Sequence, residues 1–498
     1  MDARTPVPVA LGGPSARRPS RFARELPVGE AFLSRLSGLC ETVDTSDEGR
    51  VGAGRDWWPL ALVWAVGGVA PALPAAVARP SDAAQVAAVL RACADASVPV
   101  TAGAGRSGVC GGCVPVFGGV ALDLTALQGI VAVDDTSLLV DVRAGTFGDA
   151  FEDALRERSL TCGHWPQSIS LSTVGGWIAC RGAGQYSTRY GKIEDMVAGL
   201  EVALADGRLI RTGGTAPRSA TGPDLTQLFV GSEGTLGVIT GARLRVHPAP
   251  PSERRAAWRF DDLPAGLEAC RRVLRRGATP AVLRLYDPTE SARSFGVSGG
   301  ALLVVADEGD PVLIDAVMGV VADECAGAGA TPMDEAMADR WLAHRNDLPP
   351  LESLVREGIV ADTIEVAASW RALPDLYRAA VGAVAALEGT IAISAHQSHA
   401  YSDGACLYFT LAGRPAPGEG AAEAYYRQAW DAVMSATAAA GGTLSHHHGV
   451  GLNRSRYLRQ HLGPAFDVLS AVKAALDPAG VLNPGKLGLS SPFGEVSA

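Results

Sequence analysis

Two short glycine-rich stretches constrain this chain more than any other feature of its sequence. Residues 172–177 read Ser-Thr-Val-Gly-Gly-Trp, and residues 231–240 read Gly-Ser-Glu-Gly-Thr-Leu-Gly-Val-Ile-Thr. Glycine allows positive φ and lets the backbone lie against a ligand. The interleaved Ser and Thr residues add hydroxyl groups, and their successive N–H groups can converge on an anion. Together with a third loop at residues 101–107, these stretches predict a cradle for the diphosphate of a bound dinucleotide.

The composition indicates a large globular protein. The chain has 498 residues, of which 47% are apolar and 19% are charged, and this length favours two or three domains. The net charge is −10 and no basic face is visible, which excludes the nucleic-acid-binding class. A local cationic pocket for an anionic substrate is compatible with this balance. The nine cysteines follow no framework spacing, which indicates reduced thiols and a cytoplasmic location.

The N-terminal part of the chain shows no targeting pattern. Residues 1–24 are rich in Pro, Arg and Ser without an apolar core, so we expect a disordered leader and no signal peptide. Residues 57–78 are uncharged and long enough to cross a bilayer, but Pro and Gly residues interrupt them repeatedly. We therefore predict buried strand and loop there, with a peripheral membrane contact as the alternative.

The pattern of helices and strands divides the remaining chain. An N-terminal extension spans residues 25–75, and a cofactor-binding domain is expected over residues 76–248, with Ser81 capping its first helix. Alternating helices and strands then predict an α+β substrate (cap) domain over residues 249–440. The C-terminal segment, residues 441–490, is expected to contribute to both the active site and the cofactor-binding domain.

A competing motif lies in the first of the glycine loops. Residues 103–108 match Gly-x-Gly-x-x-Gly, which is typical of nicotinamide-binding Rossmann folds, and Asp123 follows at a suitable distance for a ribose contact. That fold needs a helix to begin in the glycine run, but residues 109–115 end in Val-Pro after two further glycines. We therefore predict a loop that wraps phosphate with backbone amides. Cys110 and Cys113, at metal-ligand spacing, are interpreted as small buried loop residues.

Several segments together resemble one superfamily of flavoproteins, that of vanillyl-alcohol oxidase and p-cresol methylhydroxylase (PCMH). The likeness covers residues 80–248: two pyrophosphate loops match residues 101–107 and 167–173, an Arg-Tyr-Gly-x-x-x-Asp segment matches residues 189–195, and residues 231–240 are intact. The resemblance implies an α+β, two-domain flavoprotein with a PCMH-type FAD-binding domain and a cap domain. The residues that it predicts to bind FAD are Thr101, Ala102, Gly103, Ala104, Gly105, Arg106, Ser107, Gln167, Ser168, Ser170, Ser172, Thr173, Gly175, Gly176, Cys180, Arg181, Gly182, Ala183, Glu233, Gly234, Thr235, Gly237, Val238 and Ile239.

The resemblance also bears on how FAD is attached. Many members bind it covalently through a histidine in the first loop, where this chain has Val109 and Cys110. The resemblance therefore implies that FAD is held non-covalently. A thioether to Cys110, Cys162 or Cys180 is the alternative.

The second half of the chain is similar to alkylglycerone-phosphate synthase (alkyl-dihydroxyacetonephosphate synthase), and the motifs keep the same order from about residue 26 to residue 487. The matching segments are residues 182–195, 280–287, 345–347, 362–370, 403–409 and 446–451. The strongest discriminator is the last one, three histidines before Gly-Val-Gly. In that family FAD works without net redox change. An acyl group on an anionic ketone is exchanged for an alkoxy group through a flavin N5 adduct.

The resemblance assigns catalytic roles to a tyrosine and to the histidine run. Tyr408 matches the catalytic tyrosine, whose phenol could relay a proton if neighbouring cations lower its pKa. His446, His447 and His448 cannot share one face of a strand or helix, so at least one is expected to point at the active site. Imidazole titrates near neutral pH and suits proton relay. A solvated loop is the alternative for the three histidines.

Two arginines are the candidates for binding an anionic headgroup, because guanidinium offers forked donors that match phosphate or carboxylate. By resemblance, Arg345 contacts substrate and Arg284 is needed for activity. The chain departs from the family after Asp287, where it reaches Leu302 without the longer insertion of the ether-lipid enzymes. Arg106 also replaces a small hydroxyl residue. A small anionic substrate is therefore as compatible with the sequence as a lipid-like one.

Two other interpretations of the site stay open. A flavin oxidase or dehydrogenase would transfer a hydride from a 2-hydroxy acid or alcohol to flavin N5. A metal could join the histidine run to His396 and His399. Related 2-hydroxyacid dehydrogenases supply a glutamate just before His-Gly, where this chain has His447, so we expect no metal. We further expect a bacterial source and a homodimer.

Overall fold

The computed structural model describes residues 21–22, 26–214, 217–347 and 351–496. The predicted leader, residues 1–24, lies almost wholly outside these ranges. Within them, no helix combines the length and apolarity that crossing a bilayer requires.

The first part of the chain builds two main sheets. A four-stranded sheet has the order β1-β2-β4-β3, in which β2, β4 and β3 run parallel. An antiparallel sheet has the order β5-β6-β10-β8-β9, and β7 pairs with β11. In chain order, the elements are α1 (Glu30–Ser37), β1 (Thr42–Asp44), α2 (Asp47–Ala53), α3 (Pro59–Val66), β2 (Ala76–Arg79), α4 (Ala83–Ala96), β3 (Val100–Gly103), β4 (Val120–Asp123), β5 (Ile130–Asp134), β6 (Leu139–Arg143), α5 (Gly148–Arg156), β7 (Leu160–Thr161), α6 (Val174–Cys180), α7 (Ser187–Tyr190), α8 (Ile193–Met196), β8 (Val197–Ala203), β9 (Leu209–Gly213), α9 (Leu225–Phe229), β10 (Val238–Arg245) and β11 (His247–Pro248).

The structure corrects some local predictions in this part. Residues 57–78 contain the helix α3 before the predicted loop and strand, and Pro59 is tolerated in its first turn, where the missing N–H removes no helical hydrogen bond. The cap of α4 is Asp82 and not Ser81. By contrast, no helix begins among residues 104–119, as expected for a loop that differs from the Rossmann arrangement.

The second part of the chain is built on one seven-stranded antiparallel sheet with the order β15-β12-β14-β13-β17-β18-β16. Its elements are β12 (Ser252–Phe260), α10 (Leu263–Arg275), β13 (Val282–Tyr286), α11 (Pro288–Phe295), β14 (Ala301–Gly309), α12 (Pro311–Gly327), β15 (Thr331–Met333), α13 (Ala336–His344), α14 (Leu351–Arg356), β16 (Val360–Ser369), α15 (Leu373–Ala385), β17 (Thr390–Ala400), β18 (Gly404–Gly413) and α16 (Ala421–Ala439). Helices and strands alternate along this part, as the sequence pattern predicts.

The two faces of this large sheet have different partners. Alternate residues of each strand point to opposite faces. Leu303 and Val305 of β14 join the core formed with α10, α15 and α16. Leu302 and Val304 join a second cluster with Tyr186, which belongs to the first part of the chain. The second face of the sheet is therefore the one that meets the first part of the chain.

The C-terminal segment returns to the first part of the chain through α17 (Ser455–Leu462) and α18 (Ala465–Leu476). Leu482 forms a parallel bridge with Val100 of β3. The buried Lys473 ammonium donates to the carbonyl of Thr235 at 2.7 Å, and Asn483 donates to the carbonyl of Glu233. This segment thus ties the loop at residues 231–240 to the four-stranded sheet.

Candidate active site

The first two predicted FAD loops lie directly against each other. A Cβ atom on Gly105 would stand 2.0 Å from the carbonyl oxygen of Leu171, so only glycine permits this approach. Arg106 has a positive φ of 50°. Among the described residues, the N–H groups of residues 105–107 meet no protein acceptor. Free, converging donors of this kind fit the diphosphate of FAD.

The second loop leads into α6 through a local cap. The Thr173 hydroxyl accepts from the N–H of Gly176, and Ser172 accepts from the Trp177 indole at 2.6 Å. In the described part of the chain, the hydroxyls of Ser168 and Ser170 have no protein partner. The loop therefore carries two further hydroxyl groups that are free to bind FAD.

Several predicted cofactor-binding residues have structural contacts of their own. Val238 and Ile239 are buried in two different hydrophobic clusters. Glu233 directs its carboxylate to the N–H groups of residues 450 and 451. Arg181 ends α6 and pairs with Glu194. The backbone groups of these residues can contact FAD whatever their side chains bind, and their assignment as cofactor-binding residues stays a prediction.

Three polar residues of the large sheet form a row on its second face. Glu365 of β16 pairs in register with Tyr408 of β18, which pairs in turn with His396 of β17. Their chain neighbours, such as Leu407 and Phe409, point into the core on the other face. Strand alternation therefore explains why a carboxylate, a phenol and an imidazole stand side by side.

The three histidines lie over this row. The ring centroids of His447 and His448 are 6.0 and 5.6 Å from that of Tyr408. His446 stacks on His399 at 4.8 Å, and its Nε2 atom is 2.9 Å from the Tyr401 hydroxyl. All three predicted histidines thus belong to one cluster, and the alternative of a solvated loop is wrong.

Burial keeps the imidazoles and the phenol neutral. It lowers the pKa of His446 and His447 to about 3 and that of His448 to about 4. Burial also raises the pKa of Tyr408 above its ordinary value, and Arg284 offsets this only in part. The condition we set for Tyr408, a phenol pKa lowered by nearby cations, is therefore not met. Its hydroxyl donates to Thr363 at 3.0 Å.

Both predicted arginines lie against the ring of Trp341. The Arg284 and Arg345 guanidinium carbons are 5.6 and 5.9 Å from the centroid of that ring. An Nη atom of Arg284 is 2.6 Å from His396 Nε2, while its buried Nε has no partner among the described residues. Arg345 donates to Gln185 at 3.3 Å. The two cations are thus close together, at one end of the row that carries Tyr408.

The metal alternative changes its members in the structure. Donor atoms of Glu365, Cys406, His446 and His447 lie within 4.8 Å of one another. In related enzymes a glutamate of the histidine segment itself supplies the carboxylate. In this chain the carboxylate is that of Glu365, which lies on β16. Both oxygens of Glu365 already accept hydrogen bonds, however, and its charge is paired with Arg454 at 2.9 Å. The carboxylate of this donor set is therefore committed to other contacts.

The cysteines considered for a thioether are poor nucleophiles. Burial raises the pKa of Cys180 to about 12 and that of Cys110 and Cys162 above the ordinary range. Cys110 also receives a hydrogen bond from Arg454. A protonated thiol does not favour covalent attachment.

Sequence reasoning missed Glu365, Arg454 and Tyr401. Glu365 and Arg454 are fully buried, and Tyr401 joins Ser187 and His399 behind the histidine cluster. Glu365 lies in a strand that also carries Asp362 and Thr363, so no local signal distinguished it. Nothing local distinguished Arg454.

Solved structures share this arrangement of domains. An alkyldihydroxyacetonephosphate synthase structure matches with a TM-score of 0.78 at 23% identity, over 92% of this chain and 86% of that one. A p-cresol methylhydroxylase structure with bound substrate matches with a TM-score of 0.70 at 17% identity, over 94% and 99%. The fold is that of a two-domain flavoprotein with a PCMH-type FAD-binding domain.

Two family models match separate parts of the chain. Residues 74–213 match the FAD binding domain, and residues 249–487 match the C-terminal domain of FAD linked oxidases. The chain therefore contains both domains of the FAD linked oxidases and is an FAD-dependent enzyme.

Relatives in this family carry different activities. The uncharacterized FAD-linked oxidoreductase YgcU of Escherichia coli O157:H7 is 29% identical over 83% of this chain and 89% of its own length. Glycolate oxidase subunit GlcD of Bacillus subtilis is 28% identical over 83% and 89%. Alkyldihydroxyacetonephosphate synthase of Dictyostelium discoideum is 28% identical over 74% and 65%. The relatives thus include both an oxidase subunit and a synthase.

Proposed function

We propose that this FAD-dependent enzyme exchanges an acyl group for an alkoxy or similar nucleophile on an anionic ketone substrate. The carbon–oxygen bond to a leaving carboxylate breaks, a new carbon–oxygen bond to an alcohol forms, and the alcohol loses its proton. No electrons are transferred overall. FAD, when bound non-covalently, supplies the reactive N5 atom.

The observation that carries this proposal is the cluster of three neutral imidazoles beside Tyr408. Exchange needs a base for the carbon-bound proton next to the ketone and a second one for the incoming alcohol. Hydride transfer from a 2-hydroxy acid needs a base only for one hydroxyl. A site with several unprotonated imidazoles supports the first requirement better.

The arginine pair supports an anionic headgroup. Arg284 and Arg345 present two cations to the same region, and His396 connects Arg284 to Tyr408. Forked donors suit phosphate or carboxylate. The headgroup would thus be held at one end of the row while its ketone lies near the histidines.

The second candidate is oxidation of a 2-hydroxy acid or alcohol by hydride transfer to FAD. It is favoured by the similarity to glycolate oxidase subunit GlcD, which covers 89% of that protein, compared with 65% for the synthase of Dictyostelium.

An anaerobic experiment separates the two candidates. The purified holoenzyme is mixed with candidate substrates in the absence of an electron acceptor. Loss of the proton at the reacting carbon and ether formation, with the flavin spectrum restored after each turnover, would support exchange. Lasting bleaching of the flavin band would support hydride transfer and contradict our proposal.

Two substitutions test the residues. Tyr408→Phe and His447→Ala should each lower turnover by about 100-fold or more while FAD stays bound, because each removes one proton-transfer group. Tyr457→Phe, which removes a hydroxyl that donates to Asp431, and the exposed His461→Ala are the matched controls, and both should keep full activity. Full activity in Tyr408→Phe and His447→Ala would refute the site assignment.

A further inference from the structure

The backbone of the three histidines is bound to one buried carboxylate. The N–H groups of His446, His447 and His448 all donate to Glu365, at 3.2 Å for His447 and 3.0 Å for His448. Three successive N–H groups on one acceptor form an anion-binding nest. Here a side chain of the protein itself fills that nest.

The rest of the loop is held by the FAD-binding domain. The N–H groups of Val450 and Gly451 donate to the Glu233 carboxylate at 2.6 and 2.8 Å. Gly449 lies between the residues bound to Glu365 and those bound to Glu233, and its N–H donates to the hydroxyl of Ser445. Every N–H group from residue 446 to residue 451 is therefore used, and the two carboxylates come from different domains.

The charge of Glu365 is balanced within the same contacts. Arg454 donates to one carboxylate oxygen at 2.9 Å and to the backbone carbonyl of Glu365 at 3.0 Å, and neither side chain is exposed. The Ser445 hydroxyl donates to the same oxygen at 2.8 Å. Burial alone would raise the pKa of Glu365, but Arg454 and the three imidazoles outweigh it and hold that pKa well below its usual range. Glu365 is therefore a carboxylate saturated with donors.

We propose that Glu365 is a positioning residue, whose buried carboxylate fixes the backbone of residues 446–448 and so directs their imidazoles toward Tyr408. It contacts no reacting atom and acts through the loop. The role holds for either reaction considered above, because both require oriented imidazoles next to the phenol.

The hydrogen-bond inventory shows why an amide cannot replace this carboxylate. One oxygen accepts from His446 and His447, and the other accepts from Ser445, His448 and Arg454. Glutamine offers one acceptor oxygen and one donor NH₂ group. In either orientation the NH₂ group faces at least two N–H donors. The substitution Glu365→Gln thus keeps the shape of the side chain and removes at least two of its five hydrogen bonds.

Hydrogen–deuterium exchange of the FAD-loaded protein tests the proposal directly. Exchange in the peptide spanning residues 443–454 should accelerate about tenfold or more in Glu365→Gln, because its amides lose their acceptor. Glu152→Gln is the matched control. Glu152 is equally buried and accepts from Thr161 and Cys162, but burial raises its pKa to about 7, so an amide imitates its protonated form. Its effect should stay outside residues 443–454.

Turnover per bound FAD supplies the second readout. We expect kcat of Glu365→Gln to fall about 100-fold while KM changes less than about threefold, since the imidazoles lose orientation and Arg284 and Arg345 keep their places. If Glu365→Gln does not accumulate as folded protein, Glu365→Asp serves instead. It keeps the charge opposite Arg454 but is one methylene shorter, so exchange should still accelerate over the loop.

The two readouts fail separately. Unchanged exchange at residues 443–454 in both variants, or the same acceleration across the whole chain, would overturn the positioning role. Accelerated exchange with unchanged kcat would support the positioning role of Glu365. The same result would refute the catalytic role of the histidines, because the expected loss of turnover depends on that role.

Discussion

The closest backbone approach in the predicted FAD site lends itself to a quantitative test. A Cβ atom added at Gly105 would lie 2.0 Å from the Leu171 carbonyl oxygen and 3.1 Å from its carbon. Real Cβ contacts essentially never fall below 3.0 Å, so Gly105→Ala must separate the two loops by about 1 Å. The obstacle is backbone on both sides, and no side chain can rotate away.

This separation should act on cofactor binding more than on folding. Overpacking of this kind costs about 1–3 kcal/mol in stability. A 1 Å displacement of one loop should also break one or two hydrogen bonds to the FAD diphosphate, each worth about 1.5 kcal/mol when the acceptor is charged, which weakens FAD binding roughly 10- to 100-fold.

The assay is titration of apoprotein with FAD, followed by flavin fluorescence, together with urea unfolding of both forms. Gly382→Ala is the control, because a Cβ atom at Gly382, in α15, meets nothing within 4 Å. It should leave FAD affinity unchanged and stabilise the helix by up to about 1 kcal/mol. A Gly105→Ala variant with wild-type affinity for FAD would show that the two loops do not jointly hold the cofactor.

Two further predictions concern buried charge. His164 is fully buried beside Trp177, with both ring nitrogens unpartnered among the described residues, and burial lowers its pKa to about 3. The unfolded state therefore takes up a proton below about pH 6.5 while the folded state does not, so the free energy of unfolding falls as the pH is lowered. In urea unfolding, His164→Leu should make the loss between pH 7.5 and 5.5 smaller by about 1.4 kcal/mol. An unchanged pH dependence would contradict this. Arg454→Met should destabilise the protein by about 3–5 kcal/mol in the same assay, because it leaves the Glu365 charge buried and unpaired. A loss below about 1 kcal/mol would mean that Glu365 is protonated.

The sequence predicted those parts of the site that follow from local pattern. The glycine loops are each defined by residues close together in the chain. Family resemblance added Tyr408, the histidines and the arginines, which the structure brings to one region. What stayed hidden depends on pairing across the chain. Glu365 binds amides about 80 residues further on, and no local spacing encodes the register of β16 with β18 that places it there.

The tautomer of His396 links the two ends of the active site. Arg284 donates to His396 Nε2, so the ring proton lies on Nδ1 and is directed to Glu290 at 3.1 Å. Burial and Arg284 lower the pKa of His396, which keeps this tautomer neutral, although Glu290 opposes the shift. A neutral His396 accepts a hydrogen bond from Arg284 without adding a second positive charge, and its ring stacks on Tyr408 at 4.9 Å. Anion binding by Arg284 and proton transfer near Tyr408 are thus divided between neighbouring groups. Protonation of His396 at low pH would place a second cation against Arg284, and we expect it to weaken anion binding and proton transfer alike.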